Sequence, residues 1–209
     1  GAISLWVART GYTGEQVGFE LFVHPEKAPD LWDRILEAGN DLGVVPAGLG
    51  ARDSLRIEAG LPLYGSELAG PLQIDPVEAG FGQFVKLHKP FFCGRQEMLL
   101  KTRELKRRLV RFRLAQRGVR MVRPGDLVIH RSGQQLMGWV TSAAPNGEGI
   151  QMGLALVEKR GAQPNTRIAI LSNERAMAQP AGALSPGQKM VLHEEGLILS
   201  RFPGRDLSG

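Results

Sequence analysis

Gly11-Tyr12-Thr13-Gly14-Glu15-Gln16-Val17-Gly18-Phe19-Glu20 is the stretch on which the fold turns. It follows the apolar run Ile3 to Val7 and precedes Leu21 to Val23. That order predicts strand, glycine loop, strand. Three glycines within eight positions permit backbone angles that a β-carbon obstructs. The same freedom lets a main chain approach a ligand closely. Glu15 and Glu20 bracket the second half of the loop. From the loop alone, a hairpin with solvated acids and a ligand loop with one inward carboxylate are both open readings.

Working outward, Pro25 ends the second strand and Pro29 suits the first turn of a helix. Leu31, Trp32, Ile35, Leu36 and Leu42 then recur at helical spacing, with Asp33, Arg34 and Glu37 on the other side. This predicts a helix lying on the sheet, ended by Gly39 and Gly43, and hence an α+β segment. Ala51 to Gly60 reads as a second, short helix. Ala51, Leu55 and Ala59 form one stripe, and Arg52 and Arg56 share another face. A guanidinium suits two-pronged binding of carboxylates, but salt bridges with Asp53 or Glu58, or with the body of the protein, are the preferred reading of the helix alone. Leu61 to Gly94 reads as a packed connector, with Phe81 to Leu87 as its strand candidate. A short helix is expected over Gly94 to Leu105.

From Lys106 the texture changes to short apolar runs separated by glycine, proline or asparagine: Leu109 to Leu114, Leu127 to His130, Leu136 to Ser142, Ile150 to Val157 and Arg167 to Leu171. This spacing predicts a small barrel or sandwich. A last hairpin is expected from Met190 to Leu192 and Gly196 to Ser200, after a loop over Ser172 to Gln188. Phe202 to Gly209 reads as a frayed tail. The expected division is residues 1–100 for the α+β part with its connector and 101–209 for the β part.

The 209 residues are 43% hydrophobic, enough for a substantial core. No run is long enough to span a membrane as a helix. No basic-then-apolar segment resembles a secretion signal, and Cys93 is the only cysteine. These features suit a reducing cytoplasm. Cys93 sits among Phe91, Phe92 and Gly94 and reads as a buried, inert thiol. His24, His88, His130 and His193 are scattered without metal-ligand spacing, so no metal site is expected. Asp30 and Asp33 read as helix-terminal charges. The net charge of +5 is concentrated between Lys101 and Arg123. Only Phe112 could stack on a base there, which disfavours nucleic acid. The alternation of Val110, Phe112 and Leu114 with Arg111 and Arg113 reads instead as a strand with a charged outer face.

Several motifs in order carry a resemblance. These are G-Y-T-G-E…G-F-E, G-L-G-A-R-D-S-L-R-I-E-A-G-L-P-L-Y-G from Gly48, P-V-E-A-G-F-G…V-K-L from Pro76, G-R at Gly94, R-R-L-V from Arg107 and G-W-V-T-S from Gly138. Over about Val7 to Leu171 the chain resembles the glycine cleavage system T proteins, the aminomethyltransferases. The wider family includes folate-dependent demethylases. The resemblance implies part of a folate-binding mixed sheet with helices, followed by an antiparallel β-barrel. It implies tetrahydrofolate as cofactor, transfer of a one-carbon unit, and a lipoyl carrier protein as partner. Glu20 matches the family glutamate that hydrogen-bonds the pterin, where a carboxylate can accept from two neighbouring N–H donors. Arg52, of A-R-D, matches a second folate-site residue. Tyr12 and Arg56 lie nearby by motif and would brace the loop and helix.

The departures carry further expectations. The family's N-terminal half, which holds its catalytic aspartate, has no counterpart here, so no catalytic residue is assigned. A fragment or partial subunit would be inactive alone, and its exposed sheet would pair with a second chain or a second copy. A non-catalytic relative that binds folate or a partner is the alternative. Gln83 stands where the family often has an aromatic beside the folate. Glu15 to Gly18 is one residue longer than the common G-E-x-G form, and Val17 is expected as a bulge that re-aims Glu20.

Overall fold

The computed structural model describes residues 2–132, 135–173 and 194–203. By contacts the chain divides into two units, residues 1–56 and 57–209.

In the first unit, β1 (Leu5–Ala8) and β2 (Glu20–Val23) form an antiparallel pair. The register sets Leu5 against Val23, Trp6 against Phe22, Val7 against Leu21 and Ala8 against Glu20. The ladder is uninterrupted, so Val17 is not a bulge: the extra residue is absorbed in the loop, and the strand that carries Glu20 is not re-aimed. A 3-10 turn at Pro25–Lys27 leads into α1 (Ala28–Gly39). Arg34 bonds Asp30 one turn back at 2.9 Å. That hydrogen bond holds the Asp30 carboxyl below its ordinary value. The helix forms where its spacing predicts, but it does not bury its apolar stripe. Trp32 is 52% and Ile35 38% exposed. α2 (Leu49–Glu58) starts two residues before the predicted Ala51. It stops at Gly60, whose φ of +75° is a left-handed turn and whose N–H bonds the Ile57 carbonyl.

The second unit is built around a closed barrel. Its described strands are β3 (Arg107–Arg117), β4 (Leu127–His130), β5 (Leu136–Pro145), β6 (Ile150–Glu158), β7 (Arg167–Leu171) and β8 (Glu194–Leu199). They run in the order β3-β6-β5-β4-β7-β8, and β8 closes on β3. Every described pairing between these barrel strands is antiparallel. Val110, Phe112, Leu114, Val128, Val140, Ala155, Val157, Ile168, Ile170 and Ile198 share one core. Leu109, Leu154 and Leu156, at alternate positions, join a second cluster with Ile74 and Ala79. The connector therefore packs against the outer wall of the barrel, on β3 and β6. α3 (Arg95–Arg103) follows it.

The G-W-V-T-S segment of β5 has a reason at each position. Gly138 lies so close to β6 that any β-carbon would collide with the Leu156 carbonyl. Trp139 stands opposite Leu156 on the outer wall, and Val140 opposite Ala155 in the core. The register then slips, so Ser142 pairs with Leu154 and Thr141 is the extra residue. The bulge turns Ser142 outward, where an unbroken strand would have aimed it into the core. Its hydroxyl donates to the buried carboxylate of Glu67 in the connector.

Several expectations change. Phe81 to Leu87 holds no strand. Gly82–Phe84 is a 3-10 turn, closed by the bonds from the Phe84 N–H to the Phe81 carbonyl and from the Val85 N–H to the Gly82 carbonyl. The outer face of β3 is not simply solvated. Arg111 is buried, with its guanidinium donating to the Glu58 and Ser200 carbonyls. Burial holds Arg111 below its ordinary value, opposed by Glu58. Several other cations of the basic run are matched by acids. Arg107 pairs with Glu78 at 2.8 Å, Arg113 with Glu148 at 3.0 Å and Arg120 with Asp126 at 2.6 Å. Cys93 is exposed rather than buried. Its neighbour Phe91 faces outward too, so the local apolar run encloses nothing. Phe202 is held rather than frayed: it stacks on Phe81, and Arg201 donates to the Ala79 carbonyl. Met190 to Leu192, residues 174–188 and the tail from Gly204 lie outside the described residues.

Candidate functional site

Glu20 is the first residue of β2, opposite Ala8. Side chains that face each other in an antiparallel pair lie on one side, and positions two apart repeat that side. Glu20 therefore shares a sheet face with Phe22 and with Trp6, about 7 Å along the strands. Trp6 is 82% and Phe22 59% exposed. A carboxylate beside two open aromatic rings can receive a flat heterocycle that presents N–H groups at its edge. Alternation could have revealed Trp6 and Phe22 from the sequence.

The loop is pinned from inside. Gly18 and Gly11 face one another, and a β-carbon on Gly18 would sit 3.2 Å from the Thr10 carbonyl oxygen. That close approach is what the glycine spacing serves. Thr10 donates its hydroxyl to Glu20 Oε2. Oε1 accepts no hydrogen bond among the described residues, so it remains open to a ligand donor. Glu15 is exposed and makes no hydrogen bond among the described residues. The loop thus distinguishes its two acids.

Arg52 and Arg56 part company. Arg56 is buried and binds Asp53 Oδ1 through Nε and Nη2, each at 2.6 Å. Arg52 is exposed, with its guanidinium 6.0 Å from the centre of the Tyr12 ring. That is the outer limit of a cation–π contact, so the side chain keeps its donors available. Arg52 forms no ion pair among the described residues. Thr10, which holds Glu20, and Tyr12, which meets Arg52, are two residues apart on the same loop. Tetrahydrofolate fits this donor set: an accepting carboxylate, aromatic surface and an uncommitted guanidinium. In the second unit Gln83 is exposed beside Phe84, which is also exposed. Among the described residues no cluster of His, Cys, Asp or Glu could hold a metal ion, and no helix is long and apolar enough to cross a membrane.

Comparison with known proteins defines the class. Residues 1–89 match the family model described as the GCVT N-terminal domain. An aminomethyltransferase of Caldanaerobacter subterraneus subsp. tengcongensis is 46% identical over 175 residues, which is 82% of this chain and 44% of that protein. One of Thermoanaerobacter pseudethanolicus is 43% identical, over 84% of this chain and 46% of its own length. One of Desulfitobacterium hafniense is 47% identical, over 66% and 36%. The fold also matches the crystal structure of glycine cleavage system aminomethyltransferase T from Bartonella henselae. The TM-score is 0.72 at 23% identity, covering 94% of this chain and 48% of that one. Over most of its length the chain is similar to aminomethyltransferases, the T proteins of the glycine cleavage system. It spans less than half the length of the curated relatives it matches.

Proposed function

We propose that the chain supplies the folate-gripping edge and the barrel of an aminomethyltransferase-type protein that transfers one-carbon units in the cytoplasm. Residues 1–100 are the folate-domain part with its connector, and 101–209 the barrel domain. The observation that carries this reading is Glu20, steadied by Thr10 and set beside Trp6 and Phe22. Its free Oε1 accepts from the pterin edge. Arg52 supplies a cation to the same ligand. When bound, tetrahydrofolate accepts the one-carbon unit; the chain's own residues bind and orient it. The aminomethyl donor is a lipoyl carrier protein.

Titration calorimetry with tetrahydrofolate tests this reading. Glu20→Ala removes a charge-assisted acceptor worth about 1.5–3 kcal/mol, so binding is expected to weaken by about ten- to a hundredfold. Glu20 is exposed, and circular dichroism checks that the variant folds. Unchanged affinity in Glu20→Ala would sink the assignment, as would an absence of binding in the presence of a completing polypeptide.

A second polypeptide completes the first unit in this proposal. Trp6, Val7, Leu21, Phe22 and Trp32 are each at least 40% exposed on two strands and one helix. Two strands do not make an independently stable sheet, and an open apolar edge invites pairing. The chain alone is expected to self-associate and to show no turnover. Turnover with lipoyl carrier, ammonia and methylenetetrahydrofolate appears only when the rest of the relatives' length is supplied. A monomer by light scattering at working concentration counts against self-association. Turnover by the isolated chain overturns the need for completion.

A further inference from the structure

A groove of about 940 Å³ runs along the outer wall of the barrel, lined between Leu105 and Gln163. Its position follows from the alternation of β5 and β6. Leu154 and Leu156 face outward and lie under the connector with Ile74 and Ala79. The apolar strip does not stop there. Trp139, opposite Leu156 on β5, is 37% exposed, and Leu136 is 49% exposed. The groove floor is thus an uncovered continuation of the surface that the connector covers elsewhere.

The rim is cationic. Lys106, Arg107, Lys159 and Arg160 line the groove, against one acid, Glu158. Arg107 is committed to Glu78, and Lys106 lies 3.7 Å from Glu104. Lys159 and Arg160 form no ion pair among the described residues, and both are exposed. They sit on the turn after β6, above the Trp139 and Leu156 pair. An apolar floor beside unmatched cations is complementary to an amphipathic anion.

We propose that this groove docks an acidic segment of a partner protein that inserts one apolar side chain between Leu136 and Trp139. A peptide can lay an anchor on the floor and its carboxylates on the rim. A nucleic acid would need a row of stacking faces and a continuous path of free cations. The groove has one aromatic, and beyond it Arg113 and Arg120 are tied to Glu148 and Asp126. The proposal is independent of folate binding and of Glu20.

The probe is the capped, fluorescein-labelled peptide Glu-Glu-Leu-Phe-Glu-Glu, titrated with the full 209-residue chain by anisotropy. The comparison peptides are Gln-Gln-Leu-Phe-Gln-Gln and Glu-Glu-Ser-Ser-Glu-Glu. Binding of the first is expected to exceed that of either control by at least about tenfold, or 1.4 kcal/mol. The Lys159→Glu/Arg160→Glu variant should lose a similar factor and flatten the salt dependence. Both side chains are exposed, so folding is spared; Leu136→Ser provides an independent variant on the floor and should weaken binding several-fold. Lys89→Glu, on an exposed loop outside the groove, should leave binding unchanged. Equal binding of the three peptides, no binding, or insensitivity to the charge reversal would overturn the proposal. Displacement of the peptide by a single-stranded oligonucleotide at lower concentration would overturn it in favour of a nucleic-acid groove.

Discussion

Glu67→Ala is expected to destabilise the barrel-containing unit by about 3 kcal/mol. Glu67 is fully buried in the connector. Its Oε1 accepts from the Ser142 hydroxyl, and its Oε2 from the Leu63 N–H at 2.8 Å. Alanine removes both acceptors from a site that water does not reach. An unmade hydrogen bond in a dry site costs more than a made one contributes. Ser142→Ala removes one donor and leaves Glu67 its Leu63 bond, so it should cost less, about 1–2 kcal/mol. The double variant should be less destabilised than the sum, by about 1 kcal/mol, because the two side chains share a bond. Urea unfolding followed by circular dichroism measures all three. A loss below about 1 kcal/mol for Glu67→Ala would mean that solvent reaches the carboxylate and that the connector is not held through this residue.

The same residue marks what the sequence could and could not disclose. The strands of the barrel were legible because each is a short apolar run between turn residues. β4 and β7 fall at the expected bounds, and β3, β5 and β6 extend past theirs by one to three residues at an end. Closure into a barrel was not legible from spacing. It depends on β8 returning to β3, a contact between residues 196–199 and 111–114 that no local pattern encodes. The bulge at Thr141 was hidden for a related reason. A one-residue slip reverses which side chains face outward, and only the partner strand reveals it. Glu67, with no periodic neighbour, offered no signal of burial. Arg111 misled in the opposite sense, because a charged residue alternating with apolar ones implies solvent until something else covers that face.

At the candidate site, the loop was legible, since Gly11, Gly14 and Gly18 announce a tight turn ahead of Glu20. The division of labour between Arg52 and Arg56 was not. Both lie four apart on one helix face, and only the position of Asp53 within reach of Arg56 separates them. Helix periodicity also overstated burial in the first unit. α1 has its stripe, yet Trp32 remains open. A pattern states which face wants a partner and is silent on whether the partner is in the same chain.

Phe112→Ala is expected to cost about 3–5 kcal/mol, a large share of the stability of an ordinary domain. Phe112 is fully buried at the centre of the barrel core, opposite Gly153 on β6 and Ile198 on β8. Its ring occupies the space that a side chain at 153 would need: a β-carbon there would collide with the ring edge. The pair is therefore a large-against-small fit between neighbouring strands. Truncating Phe112 opens a cavity that the closed strands cannot collapse to fill. Gly153→Ala fails from the other side, by overpacking, at about 1–3 kcal/mol. Combining the two tests the fit directly. The new methyl enters the vacated ring space, so the double variant should be more stable than the sum of the single losses predicts, by about 1 kcal/mol. Rescue is expected to be partial, because the same β-carbon also lies 2.6 Å from the Ser142 carbonyl oxygen, which belongs to the backbone and cannot be removed by mutation. Strict additivity in urea unfolding would mean that Gly153 answers to the β5 backbone alone and that the ring fills a space of its own.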